Sequence, residues 1–586
     1  VQPRHFTGEK IRGHSRLLAA GLLLSAGGLL WMLSAAGRYP MREVAARFSD
    51  DGILSDVYAR LIQDSQLKLS FSFLLAGSLL SWIDAPGVVR RLRSLAFWKV
   101  AAAAGLLALL LGYAVQEWMF EGIPHVTDAT SHLFQAKIFA SGRMYAPAPE
   151  CPEAFWQPHV VMTRSGKWFT KYTPGHSLLL AGGMALGLLK WTLPLCWLAT
   201  LVALGKFLDR HEGRACAGMG MFLLALSPLA LLLSGSYMSH VSAMAFTALG
   251  IFCWVRGQEG GSPWKSRIWA GAGGFLLAAS ALARPHEFVL FGLVGLLFSL
   301  SFDAGEWRRL FRSLPWLILG AVPVLGFWAF WNATLYGNPF AAGYGFTQGD
   351  ALRPAFQGHW GLSPAYGWRK ALALLVWNLD RVNGSFFGWP CSLLFVPFAF
   401  IRRGGRLLYL SVLGAAVGMG FYFFYDYHAE LESRYYFLVL PFFAYLTLRG
   451  IRNLVGFWNS PAWREFAAQG IFLLVSSFYL YAALYYWPGY LLPKYGCGYE
   501  ESSPRVEQAV RQRGLNHAVV LIAPDDGASF FYSSGFIYND PLLAGNVIYA
   551  RHVGGAADCL RKAYPNRAFY VFDRTKTPGD GLARLD

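Results

Sequence analysis

Apolar runs separated by short polar segments recur along most of the chain. They fall at about residues 17–37, 68–84, 97–119, 190–207, 215–233, 241–255, 268–283, 287–302, 314–332, 386–401, 407–424, 435–448 and 469–487. Each approaches the roughly 20 residues that cross a hydrocarbon layer of about 30 Å. Lipid offers no partner to backbone N–H and C=O groups, so the runs are expected to be helices, about thirteen spans in all. The period-two alternation of a membrane barrel is absent. Trp and Tyr gather at the run ends, as an interfacial belt requires. The Gly- and Pro-rich stretch PGHSLLLAGGMALGLL at 174–189 reads as a juxtamembrane or half-inserted helix instead.

The polar segments give the runs a direction. Arg90, Arg91 and Arg93, then Arg210 and Arg214, Arg256, Lys265 and Arg267, Arg308, Arg309 and Arg312, Arg402, Arg403 and Arg406, and Arg449 and Arg452 fall in alternate loops. Basic loops stay cytoplasmic, so the N-terminus is expected inside. Segments 120–173, 234–240, 333–385 and 425–434 are then outside, and so is the tail 488–586. The basic RHFTGEKIRGHSR ahead of the first run resembles a signal anchor, with no small-residue cleavage site. The expected location is the cytoplasmic (inner) membrane.

Composition agrees: 55% of the 586 residues are hydrophobic, 16% aromatic and only 15% charged. The net charge of +17 is dispersed between apolar runs rather than set on one face, which argues against a nucleic-acid partner. Cys196, Cys216, Cys253 and Cys391 lie in or beside apolar runs. Cys497 and Cys559 lie in the tail, where an oxidising compartment would allow a disulfide, with Cys151 a competing partner. The tail alternates helical stretches (RVEQAVRQRG, AADCLRKAY) with strand-like ones (AVVLIAPDD, VIYARHVGG, AFYVFDR), the pattern of a small α/β domain. It has no Gly-rich phosphate loop, and no chemistry is assigned to it.

Candidate chemistry gathers in the first outer loop. Asp128 follows the aromatic end of a span, where low dielectric is expected to raise its pKa. Thr127–Asp128 also reads as a helix N-cap. His132 shares a helix face with Asp128. Lys137, Arg143, Lys167 and Lys171 crowd the same loop against the positive-inside trend, which suggests a bound anion. Elsewhere, Arg284 and Glu287 sit at the outer end of a span, where charge is costly unless paired or functional, and snorkelling is an equal reading for Arg284. His240 reads as a phosphate or metal contact, or as a hydrogen-bonded packing residue. His428, Glu430 and Glu432 read as groups that orient Arg434 or as a solvated loop, and Tyr435 and Tyr436 also fit an aromatic belt.

The string HVTDATSHLFQAKIFASGRMYAP followed by KWFTKYTPGHSLLLAGG resembles the first extracytoplasmic loop of GT-C glycosyltransferases. The nearest likeness is to bacterial relatives of protein O-mannosyltransferases and of the lipid A aminoarabinose transferase. GSYMSHVSAM, ARPHEF, YGNPFAAGYGF, FGWP and ESRYYFLVLPFFAYL agree in order and sidedness, and the likeness runs from about residue 97 to 487. It implies a GT-C-like membrane domain over 97–487 with its loop at 120–189, after two additional spans within 1–96 and before an extracytoplasmic α/β domain at 488–586. It also implies transfer of a sugar from a polyprenyl-phosphate carrier to a glycan, lipid or protein acceptor. Asp128 matches the family's presumed general base. Lys171 matches a basic residue that meets the lipid phosphate in relatives, and Arg434 and Tyr435 match a recurrent Arg-Tyr pair. Arg284 is a further candidate for the donor phosphate. Many relatives carry Asp-Glu where this chain has Asp128–Ala129. Where some hold a second acidic site, this chain has Ser239 and His240. Both departures disfavour a divalent metal, and no cofactor is otherwise expected.

The chemistry supports those roles independently. Arg and Lys stabilise a phosphate leaving group by charge-assisted hydrogen bonds, and a carboxylate within reach takes the acceptor's proton. One carboxylate suffices for a single displacement with inversion. A lipid or polysaccharide transporter is the alternative, although no duplicated halves are visible and the ionisable residues crowd one face. An inactive GT-C-like scaffold is another, motivated by the missing second acid.

Overall fold

The structure, a computed structural model, describes residues 8–36, 65–82, 94–259, 262–299, 304–341, 343, 359–363, 366–426, 431–496, 498–524, 531–576 and 581–585. The chain is a multi-pass helical membrane protein. Six described helices are long and apolar enough to cross a bilayer: Phe97–Met119, Leu189–Glu212, Trp307–Tyr336, Arg406–Phe423, Arg434–Phe457 and Pro461–Tyr495. A seventh candidate is the pair Arg214–Ala225 and Pro228–Gly235, bent by 54°. The bend is local chemistry. Pro228 has no N–H to continue the preceding helix, and Ser227 Oγ accepts from Ala230 N at 3.4 Å to start the next.

About thirteen spans were expected; other expected runs are helical but shorter or richer in buried polar groups, and one is not a helix. Pro285–Leu297 is apolar but short. Ser239–Gln258 and Pro263–Ala283, of 20 and 21 residues, bury Ser239, His240, Ser242, Thr247 and Ser280 in protein contacts. The run 386–401 is not a helix: it passes through turns to a 3-10 turn at Pro397–Phe400. Gly388, Pro390 and Pro397 interrupt it. Irregular backbone is tolerated at membrane depth only where protein covers and satisfies it. Phe386, Phe387, Trp389 and Phe395 are buried here. Asn383 Oδ1 accepts from Leu393 N (3.1 Å) and Cys391 Sγ (3.2 Å), and Ser392 N donates to the Asn383 carbonyl at 2.8 Å. The segment expected as outer loop just before it holds the helix Trp368–Ser385.

Within the run at 174–189, the helix Pro174–Ala185 has 12 residues. At about 1.5 Å per residue it is too short to cross. The loop before it is built from the helix Thr127–Ala140 and an antiparallel sheet, in which Lys167–Thr170 lies between Ala146–Pro147 and Val160–Met162. Gln135 ties helix to sheet by donating to Met144 O and accepting from Thr170 N.

The tail carries a four-stranded sheet in which Ala518–Ala523 lies between Val547–Arg551 and Ala568–Asp573, all parallel, with Leu582–Arg584 antiparallel at the edge. Its core is continuous with the loop: Phe134, Phe155 and Trp168 pack with Val519, Phe536 and Leu560. Cys151 and Cys559 form a disulfide with 6.0 Å between Cα atoms. The expected Cys497–Cys559 pair is therefore replaced. Docking of the tail on the loop sets the helix Ala556–Ala563 beside the turn that follows Cys151. Cys497 lies outside the described residues.

Candidate active site

Asp128 is the second residue of the helix Thr127–Ala140, whose cap is Val126 with no side-chain cap bond, so the N-cap reading does not apply. Its carboxylate accepts instead from the Tyr172 hydroxyl and lies 3.7 Å from both His159 Nε2 and Arg434 Nη2. The positive end of the helix favours a carboxylate there. The sheet register explains the company. Val160 pairs with Thr170, and Lys171 N donates to the His159 carbonyl at 3.1 Å, so His159 and Lys171 leave the sheet side by side. Tyr172 follows and stacks on His132, ring centroids 4.6 Å apart, one helical turn beyond Asp128. Arg434 arrives from the far end of the chain, at the start of a 3-10 turn that leads into Leu440–Phe457.

The other sequence candidates surround this centre. Tyr435 lies under the Arg434 guanidinium at 5.0 Å, and its hydroxyl accepts from Arg434 Nη2 at 3.2 Å. The Arg284 guanidinium is engaged within the protein: Nε pairs with Glu287 at 2.7 Å, Nη1 donates to Ser239 Oγ at 3.4 Å, and Nη2 reaches Tyr422 OH and His286 Nε2, each at 3.2 Å. His132 contacts Ser177 Oγ at 3.4 Å and the edge of His176, and so supports Tyr172. His240 is buried, with neither ring nitrogen hydrogen-bonded among the described residues, so it is not the hydrogen-bonded packing histidine considered from sequence.

Glu432 does not orient Arg434. Its carboxylate accepts from Lys494 (2.8 Å), Tyr495 (2.9 Å) and Tyr490 (3.0 Å), because left-handed backbone at Leu431 and Glu432 turns the chain between the two residues. His428 and Glu430 lie outside the described residues. The loop's cations also divide. Lys137 donates to the carbonyls of Ile537 and Asn539 in the tail, Lys167 to Thr334 O at 2.6 Å, and Arg143 is exposed; of the four, Lys171 acts on Asp128. Among the described residues, no three His, Cys, Asp or Glu side chains converge closely enough to hold a metal ion.

No family model and no curated protein matches the chain. Among solved structures it is similar to ArnT from Cupriavidus metallidurans in the apo state, with 13% identity and a TM-score of 0.51 over 80% of this chain and 92% of that one. The same protein bound to undecaprenyl phosphate gives 13% and 0.51 over 83% and 94%. The chain has a GT-C fold. A weaker likeness is to the oligosaccharyltransferase AglB from Archaeoglobus fulgidus, in complex with an inhibitory peptide and a dolichol-phosphate (11% identity, TM-score 0.40, covering 81% of this chain and 69% of that one).

Electrostatics depart from the sequence expectation at Asp128. Burial alone would raise its pKa, but His159, Arg434, the Tyr172 hydroxyl and Lys171 outweigh it and hold the carboxyl well below the usual range. Asp128 is therefore ionised. Burial pushes His159 down to about 3 against the pull of Asp128, so His159 is neutral beside it. Burial likewise lowers Lys171 to about 8, with Asp128 opposing. An ionised acid facing two cations, with a neutral imidazole alongside, can receive an anion at the cations and a proton at the acid. His159 and Tyr172 were not among the sequence candidates. Tyr172 adjoins Lys171 in the chain, whereas His159 becomes visible only through the strand register.

Proposed function

We propose that this protein is a membrane glycosyltransferase, transferring a hexosyl or pentosyl group from a polyprenyl-phosphate donor to an acceptor hydroxyl on the extracytoplasmic face. The observation that carries the reading is the meeting of Asp128 with Arg434 and Lys171 on a GT-C fold. Lys171 and Arg434 take the donor phosphate, with Tyr435 holding the guanidinium. Arg284, neutralised by Glu287, braces the surrounding wall.

The two cations have a second role. While they face Asp128 they make it a weak base. A phosphate arriving between them takes up part of their charge, which raises the affinity of Asp128 for a proton as the acceptor arrives. The acceptor oxygen then bonds to the anomeric carbon from the face opposite the leaving group, its proton passes to Asp128, and the carbon–oxygen bond to phosphate breaks. The electron pair leaves with the polyprenyl phosphate, stabilised by Lys171 and Arg434, and configuration inverts.

Asp128→Asn is the direct test. Its amide cannot take the proton, so kcat is expected to fall about 10²- to 10⁴-fold. The donor KM should not rise, because an opposing negative charge has gone. Near-wild-type turnover in a folded Asp128→Asn protein would remove this mechanism.

A further inference from the structure

Glu432, two residues before Arg434, lines a pocket of about 200 Å³. Its walls come from the helix Ser65–Trp82, the end of Trp368–Ser385 and the wide helical turns of Ala482–Leu491. Those turns are wound with i→i+5 hydrogen bonds, a rare form frequently seen at functional sites. The winding matters for side-chain direction. At about 3.6 residues per turn, Tyr481 and Tyr490 would sit two and a half turns apart on opposite faces. The looser winding keeps Tyr481, Tyr485 and Tyr490 along one wall of the pocket.

Polar groups face these rings. Arg381 and Lys68 meet Asp380 and Glu432 across the pocket, two cations against two anions. Glu432 is also bonded to Lys494, and Arg381 donates to Tyr490, so this carboxylate and this guanidinium are already engaged within the protein. Aromatic faces beside hydrogen-bonding charged groups suit a ring with apolar C–H faces and hydroxyl edges. In the chain, Glu432 stands two residues before Arg434, which pairs with Asp128.

We propose that this pocket is a subsite for a neutral saccharide, seating a glycan acceptor next to Asp128. The assignment of an acceptor rests on the glycosyltransferase reading, whereas saccharide binding itself does not. Part of the wall, Ser65 and Lys68, precedes the region of sequence likeness at 97–487.

The experiment uses the full chain in lipid nanodiscs, with neutral methyl glycosides (glucoside, galactoside, mannoside and N-acetylglucosaminide) as probes. Binding is read by saturation-transfer NMR. At least one glycoside should bind, and Gly489→Phe should weaken it tenfold or more. A Cβ at Gly489 meets only Tyr485, at 4.0 Å, so the new ring can fill the pocket. Tyr485→Ala, at the exposed rim, should weaken binding in the same direction and covers the case of a misfolded plug variant. No glycoside binding to the native chain, undiminished binding in both variants, or binding of phosphocholine in place of the sugars overturns the subsite. With a working transfer assay, Gly489→Phe should raise the acceptor KM and leave the donor KM unchanged. An unchanged acceptor KM sinks the subsite and leaves the glycosyltransferase standing. Sugar binding without any transfer by the native chain does the reverse.

Discussion

Burial of Lys171 brings its ammonium group down to about 8, with Asp128 pulling it back up. If this cation receives the donor phosphate, kcat/KM for the donor should fall as pH rises through about 8, since the free enzyme's ionisations govern that ratio. Unfolding would not explain the loss. A lysine with a depressed pKa leaves the unfolded chain holding more protons, so this group makes the fold more stable as pH climbs from about 8 towards 10.5. Lys171→Arg should keep the charge and move the falling limb beyond the measurable range. The same limb in Lys171→Arg would assign it to another group. Asp128, Lys171 and Arg434 were singled out in the sequence because each stands in a recognisable motif. The depressed pKa of Asp128 was not, because it depends on Arg434, some 300 residues away, and on a histidine aligned by strand register.

Helices legible in the sequence are those whose apolar runs are long, such as Phe97–Met119 and, despite Pro315 and Pro323, Trp307–Tyr336. The run at 386–401 was misread because hydrophobicity reports burial, and burial here is in protein rather than lipid. This irregular segment leans on the helix Leu440–Phe457 at one narrow place. A Cβ on Gly450 would overlap the carbonyl of Phe395, and Arg449 Nε donates to the Ala399 carbonyl at 3.0 Å just beside it. Gly450→Val should therefore separate the two and leave backbone carbonyls unsatisfied, at about 1–3 kcal/mol for each buried group stranded. A lowered thermal midpoint in detergent is the expected result. Gly420→Val, on an open helix face, serves as the control. Equal midpoints for the two would mean that the segment is not held by this contact.

At the scale of the whole molecule, the tail and the first loop behave as one unit. They share an apolar core, Lys137 crosses between them to two carbonyls, and Cys151–Cys559 closes 408 residues of chain. The tail's alternating strands and helices were readable, but its docking was not: residues such as Phe134 and Trp168 look like ordinary loop aromatics until Phe536 is packed against them. A disulfide of this kind contributes about 2–4 kcal/mol. Reductant should lower the thermal midpoint of the native chain and leave a Cys151→Ser, Cys559→Ser double variant unaffected. The bond also reports sidedness, because disulfides persist in oxidising compartments. In a chain whose other cysteines are replaced by Ala, a membrane-impermeant maleimide added to intact cells should label Cys151 and Cys559 only after reduction. Labelling that requires permeabilised cells would put the loop in the cytosol. Asp128 shares that loop, so the proposed transfer on the outer face would fall with it.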